Sequence, residues 1–113
     1  MKNEQLKIIV ESLLDVTEKA GKKTIELYKS GLKIIKKPDG SPVTNGDLEV
    51  DKMLKAKIKK LTPDIPIISE ESVDLKIRNT LKTYWLLDPI DGTKEYISGK
   101  DVYTLNAGLI IDC

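Results

Sequence analysis

Histidine is absent from this chain, and cysteine occurs once, as Cys113, the last of 113 residues. Without imidazole there can be no Ser-His-Asp triad, no Cys-His pair and no zinc site of the usual His/Cys kind. A metal held here has to be hard and bound by oxygen. One cysteine allows no disulfide within the chain, which points to a reducing, cytoplasmic setting. An excess of one charge is also missing. With 19 Lys plus Arg against 18 Asp plus Glu, the net charge is +1, so no basic field draws in nucleic acid or an anionic membrane. Nor is there a long apolar run: residues 1–10 alternate charged and apolar side chains and offer neither a signal peptide nor a bilayer span. The expectation is a soluble chain with no nucleic acid partner and no integral membrane segment. Its length fits one domain with a modest core.

What is present is periodic. Over residues 5–30, apolar side chains fall at Leu6, Ile9, Val10, Leu13, Leu14, Ala20, Ile25 and Tyr28, the stripe of a long helix that Gly31 closes. Gly21 in its middle costs about 1 kcal/mol against Ala, and marks either the close approach of a neighbouring element or a chance glycine. Residues 32–37 alternate Leu and Ile with Lys, a strand with one wet face, and Pro38-Asp39-Gly40 turns the chain. Pro42 keeps residues 41–44 extended. Thr44 and Asp47 have the spacing of a capping pair, and Val50, Met53, Leu54, Ile58 and Leu61 mark the buried stripe of a second helix ended by Pro63. Residues 65–68, 83–87 and 102–111 are strand-like apolar runs, and 72–82 reads as a connector. A central-looking strand at the end of the sequence points to missing pairing partners.

Glu70, Asp88 and Asp91 each lie at or just past the end of an apolar run, where adjoining strands would bring their ends together. Three converging carboxylates repel one another unless a cation joins them, and an all-oxygen set suits Mg²⁺. The Ile90 carbonyl could add a donor. Asp88 and Asp91, three apart around a proline-stiffened turn, could bridge two metal ions about 4 Å apart. Gly92 permits close backbone approach, and Thr93, if it opens a helical turn, offers N–H groups to a phosphate. Taken singly, Asp-Gly is more often a turn pair, Glu-Glu a solvated patch and Lys36-Lys37 a wet strand end.

Three ordered motifs change that balance. Ser41-Pro42-Val43-Thr44-Asn45-Gly46-Asp47, Ile68-Ser69-Glu70-Glu71-Ser72 and Asp88-Pro89-Ile90-Asp91-Gly92-Thr93-Lys94-Glu95-Tyr96 together resemble the lithium-sensitive, magnesium-dependent phosphatases of the inositol monophosphatase superfamily. Lys94-Glu95 and Ser41-Pro42 resemble its CysQ-type 3'(2'),5'-bisphosphate nucleotidases; inositol monophosphatases usually show Thr-Asn at the former place. The resemblance implies an α+β fold, two long helices packed on a mainly antiparallel sheet. That is the N-terminal part of the layered α/β sandwich of inositol monophosphatase and fructose-1,6-bisphosphatase-like proteins. It also implies Mg²⁺-dependent hydrolysis of the 3'-phosphate of adenosine 3',5'-bisphosphate to AMP and phosphate, a step linked to sulfate assimilation.

By the same resemblance, Glu70, Asp88, Asp91 and the Ile90 carbonyl match metal ligands for two or more Mg²⁺ ions. Asp91, Gly92 and Thr93, with Lys37 more weakly, match the phosphate site. Asp47, Glu70 and Thr93 match the relay that positions the attacking water. Tyr96 stands where Phe is more usual, a change expected to keep the packing role. Family members are on the order of twice this length. Residues 1–113 therefore read as an N-terminal metal- and phosphate-binding domain, with the C-terminal substrate domain and a later Trp-Asp motif absent. A bare sheet edge then favours a homo-oligomer or a missing C-terminal half. Two other readings stand beside this one. One is an inositol monophosphatase-type phosphatase, against which Lys94-Glu95 argues. The other is an inactive truncated remnant that binds metal or a partner chain without catalysis.

Overall fold

In the computed structural model, which describes residues 2–69, 83–100 and 102–111, the first helical stripe forms α1 (Asn3–Ser30). Gly31, at φ 97°, ends it and donates its N–H to the Tyr28 carbonyl at 3.3 Å. The buried row is narrower than the apolar pattern. Ile9, Val16, Ala20 and Thr24 are buried and Leu13 is half-buried, whereas Val10, Leu14, Ile25 and Tyr28 are exposed. Each of Val10, Leu14 and Ile25 follows a member of the buried row by one residue, which turns it about 100° away from the core. Nothing lies within 4 Å of where a Cβ on Gly21 would stand, so the close approach considered for that glycine is not made by the described chain.

The alternating run at 32–37 yields a shorter strand, β1 (Ile34–Lys36), exposed along its whole length instead of on one face. The reason is architectural: β1 pairs antiparallel with β2 (Pro42–Thr44) in a hairpin separate from the main sheet, and among the described residues its three side chains stay exposed. Its turn closes through the Gly40 N–H to the Lys37 carbonyl at 2.9 Å. The hairpin delivers Thr44 to the start of α2 (Asn45–Leu61) as the expected cap, with Val50, Leu54 and Ile58 buried below it. The helix stops before Pro63, where the Thr62 N–H still reaches the Ile58 carbonyl at 2.8 Å. The Thr62 hydroxyl accepts the buried Trp85 indole N–H at 3.0 Å, so the polar edge of that ring is satisfied.

The main sheet has the order β3 (Ile67–Ser69), β4 (Tyr84–Asp91), β5 (Thr104–Ile110), with β3 parallel and β5 antiparallel to β4. Counting the hairpin, two of the three pairings are antiparallel. Ile9, Val16 and Ala20 of α1, Val50, Leu54 and Ile58 of α2, and Trp85, Leu87 and Ile90 of β4 form one apolar cluster, the helix pair lying on one face of the sheet. Burying each large aliphatic side chain is worth about 1.5–3 kcal/mol. Among the described residues, no helix is long and apolar enough to cross a membrane. The expected connector at 72–82, Glu70 and Cys113 lie outside the described residues.

Candidate functional site

β4 runs past the expected 83–87 to Asp91, so Asp88 and Asp91 sit on a strand and not around a turn. Asp88 pairs with Asn106 and Asp91 with Thr104. Three steps along β4 thus match two along β5, the signature of a bulge with one extra residue. In a regular strand, residues three apart point to opposite faces. The bulge restores a common face, because Asn106 and Thr104 are two apart on β5. Burial follows the same shift: Trp85, Leu87 and Pro89 are buried in alternation, Ile90 is buried next, and Asp91 is exposed. Both carboxylates therefore lie on the side away from the helices, Asp88 half-buried and Asp91 in the open.

After Asp91 the chain turns at Gly92, whose φ of 93° and tight surroundings both require glycine: an added Cβ would stand 3.0 Å from the Val102 carbonyl oxygen. Thr93 then opens the short helix α3 (Thr93–Ile97). Its hydroxyl donates to Asp47 Oδ1 at 2.9 Å and lies 3.2 Å from the Ile90 carbonyl oxygen. Asp47 is 1% exposed, in the first turn of α2. Its Oδ2 accepts the Thr44 amide at 2.9 Å and the Thr44 hydroxyl at 2.5 Å, while the Thr44 oxygen accepts the Asp47 amide at 3.2 Å. Three donors on one buried carboxylate compensate for its removal from water.

Two clefts flank Gly92. One, of about 410 Å³, is lined by Lys37, Asp39, Ser41, Pro42, Thr93 and Glu95 among others, so the hairpin brings Lys37 to the same place as Thr93. The other, of about 370 Å³, has Asp91, Glu95 and Thr104 in its walls. In the first, the Ser41 hydroxyl and then the Ser41 amide hold the Asp39 carboxyl below the usual carboxylate range. A larger hollow of about 640 Å³ lies elsewhere, between Lys55 and Lys59 of α2 and residues 63–67, away from Thr93 and Asp91.

The structure thus gathers Asp47, Thr93 and the Ile90 carbonyl in one hydrogen-bonded group, with Asp91 and Gly92 next to it and Lys37 across the cleft. Glu70 lies outside the described residues, and the β3–β4 ladder is described only as far as Ser69 beside Leu87. Among the described residues, no three His, Cys, Asp or Glu side chains gather into a metal-binding group.

The sequence matches the inositol monophosphatase family over residues 3–112. The chain belongs to that family. It is 34% identical over 106 residues to a 3'(2'),5'-bisphosphate nucleotidase CysQ of Aggregatibacter actinomycetemcomitans, covering 92% of this chain and 39% of the relative. It is 32% identical over 105 residues to CysQ of Escherichia coli strain K12, covering 90% and 43%. This family member therefore spans about two-fifths of the length of the curated relatives it matches. Among solved structures, the extragenic suppressor protein suhB of Bartonella henselae superposes with a TM-score of 0.78 at 20% identity, over 92% of this chain and 41% of that one. CysQ of Bacteroides thetaiotaomicron does so at 0.60 and 28%, over 90% and 37%.

Two features of this family member escaped the sequence reading. Asp51, one turn after Asp47, is also buried; it accepts the Ser69 hydroxyl and pairs with the Lys55 ammonium at 2.9 Å, tying α2 to the end of β3. The signal was an aspartate inside the apolar stripe of α2. The other is a tyrosine cluster. Tyr96 donates its hydroxyl to the Thr24 carbonyl at 2.6 Å, and the Tyr103 hydroxyl and Thr24 Oγ1 are hydrogen-bonded at 2.9 Å. Burial pushes the Tyr96 phenol up to about 12, with Tyr103 and Asp47 acting in the same direction.

Proposed function

We propose that this chain is the metal- and phosphate-binding part of a Mg²⁺-dependent phosphatase that releases the 3'-phosphate of adenosine 3',5'-bisphosphate, leaving AMP. The observation that carries the reading is the hydrogen bond from Thr93 to the buried Asp47 carboxylate, beside a bulge that faces Asp88 and Asp91 the same way. The substrate comes from the likeness to CysQ nucleotidases, which extends over nine-tenths of this chain. Reaction and substrate alike are proposals for a chain that spans two-fifths of those relatives.

The donor set fits magnesium. Asp88, Asp91 and the Ile90 carbonyl offer hard oxygens only, and the chain has no histidine to favour a softer ion. Glu70, one residue beyond the described end of β3, is assigned to the same set. Bound there, Mg²⁺ would supply neutralisation of phosphate charge. The chain's own residues do the positioning. Asp47 draws the Thr93 proton toward itself, which leaves the Thr93 oxygen free to accept a hydrogen bond from water and aim it at phosphorus. Thr44 fixes the Asp47 rotamer from the opposite side. Gly92 gives the phosphate room against the backbone, and Lys37 lends a positive charge to the cleft wall.

Phosphate release by the purified chain, measured with and without Mg²⁺ on adenosine 3',5'-bisphosphate and on inositol monophosphates, tests this. Asp91→Asn is expected to lower release about a hundredfold or more, since a misplaced nucleophile costs that much. Asp91 is exposed, so its substitution should leave the fold intact. Equal release by Asp91→Asn would remove the metal assignment, and a preference for inositol phosphates would remove the nucleotide.

A further inference from the structure

Lys94 and Glu95, the pair that the sequence reading set against the Thr-Asn of inositol monophosphatases, have no part in the site as described so far. Lys94 is exposed, whereas Glu95 is half-buried. Among the described residues, Glu95 and Gly92 itself are the two that stand in the walls of both clefts flanking that glycine. The Glu95 Oε2 comes within 3.3 Å of where a Cβ on Gly92 would stand. Its carboxylate therefore rests against the backbone assigned above to the phosphate.

That carboxylate is held in place and left without a partner. The Glu95 carbonyl accepts the Lys100 N–H at 2.9 Å, and the Gly92 carbonyl accepts the Tyr96 N–H at 3.0 Å. Tyr96, the next residue, is 1% exposed and anchored to Thr24 by its hydroxyl. The backbone on both sides of the Glu95 side chain is thus fixed. Yet among the described residues that side chain makes neither a hydrogen bond nor an ion pair. The buried carboxylates of α2 differ: Asp47 takes donors from Thr44 and Thr93, and Asp51 from Ser69 and Lys55. An ionised carboxylate can only accept, and beside a phosphate it repels unless a hydrogen or a cation lies between them. On the reading above, Asp88, Asp91 and the Ile90 carbonyl already serve the cation. A group that brings its own hydrogen is what remains for Glu95.

We propose that Glu95 is a specificity-determining residue that accepts a hydrogen bond from a substrate hydroxyl, on the carbon next to the one bearing the scissile phosphate. The proposal rests on the phosphatase reading above and names the class of substrate it serves: phosphate monoesters with a free hydroxyl beside the ester. In adenosine 3',5'-bisphosphate that group is the 2'-hydroxyl. Its hydrogen lets the carboxylate stand near a phosphate that it would otherwise repel, and a hydrogen bond to an ionised acceptor is roughly twice as strong as a neutral one. A site arranged around a substrate hydroxyl discriminates against the analogue that lacks it, because the acceptor is then left unpaired.

Phosphate release and nucleotide affinity of the purified chain with Mg²⁺ provide the test, on adenosine 3',5'-bisphosphate and on its 2'-deoxy and 2'-fluoro-2'-deoxy analogues. Fluorine fills the place of the hydroxyl without a proton to donate. Both analogues should be poorer by about tenfold or more in kcat/KM, and in affinity by titration calorimetry where release is slow. Glu95→Ala should bring the three compounds within about twofold of one another. Glu95→Gln, whose amide oxygen still accepts, should keep part of the preference. The comparison of analogues on the unaltered chain holds even where a variant fails to fold. Equal handling of all three by the original chain, or an equal loss on all three in Glu95→Ala, would overturn the inference. If Asp91→Asn still abolishes release in that case, the phosphatase reading survives it. Neither release nor binding of any of the three would remove that reading, and the inference with it.

Discussion

Tyr96 shows how much one hydroxyl adds. The sequence reading expected it to pack as Phe would, and its ring does, 4.8 Å from that of Tyr103 and 6.3 Å from that of Tyr28. The hydroxyl also ties α3 to the Thr24 carbonyl of α1 and rests against Gly46, where an added Cβ would stand 2.6 Å from it. No local pattern announces such a bond, because its partners are 72 residues apart. Removing the hydroxyl by Tyr96→Phe should cost about 0.5–1.5 kcal/mol at neutral pH. The fold holds the phenol proton up to about pH 12, whereas the unfolded chain releases it near 10. Burial first, and then Tyr103 and Asp47, penalise the ionised form in the fold, so the neutral phenol's contribution is complete below pH 10 and falls between the two values as the unfolded state sheds its proton first. Urea titrations across that range should show the original chain losing its advantage over Tyr96→Phe. A constant difference would refute the coupling.

At the scale of elements, the parts legible in the sequence are those set by near neighbours. The Thr44–Asp47 cap, the Gly31 stop and the Pro38-Asp39-Gly40 turn all depend on residues within a few positions of one another. Thr44→Ala should cost about 1–2 kcal/mol as a lost cap. It should also leave Asp47 with fewer donors, so chemical denaturation ought to show a loss at the upper end of that range, and phosphate release should fall beyond what stability explains. A loss of a few tenths would mean that water replaces Thr44 freely. The alternation at 32–37 misled because a two-residue period specifies two faces but not whether either is covered. Likewise α1 carries two adjacent apolar rows, and only the packing of α2 and β4 decides which one is buried. For the candidate site, the sequence offers candidate residues but not their geometry. The common face of Asp88 and Asp91 depends on a register shift against β5, which neither segment encodes alone.

The whole molecule is a slab. Its extents are 42 × 31 × 21 Å and its radius of gyration is 14.7 Å, against about 13 Å for a compact domain of similar length. A helix layer covers one face of the sheet, and Ile8, Val10, Leu14, Ile34 and Ile35 are among the large apolar side chains that stay exposed. Small single-core domains are marginal in stability for this reason.

Pro89 gives the bulge a further meaning. Proline has no N–H to contribute to a ladder, so inside a regularly paired strand it leaves a rung empty. Here it falls in the interval where β4 slips past β5, a place where a missing rung costs least. The residue that forbids an unbroken strand is thus accommodated by the same slip that makes a spacing of three behave as a spacing of two. Deleting either Pro89 or Ile90 would remove the extra residue and leave Asp88 and Asp91 two apart on a regularly paired strand, still on one face. The slip is what lets the two carboxylates share a face with two residues between them, one of them a proline.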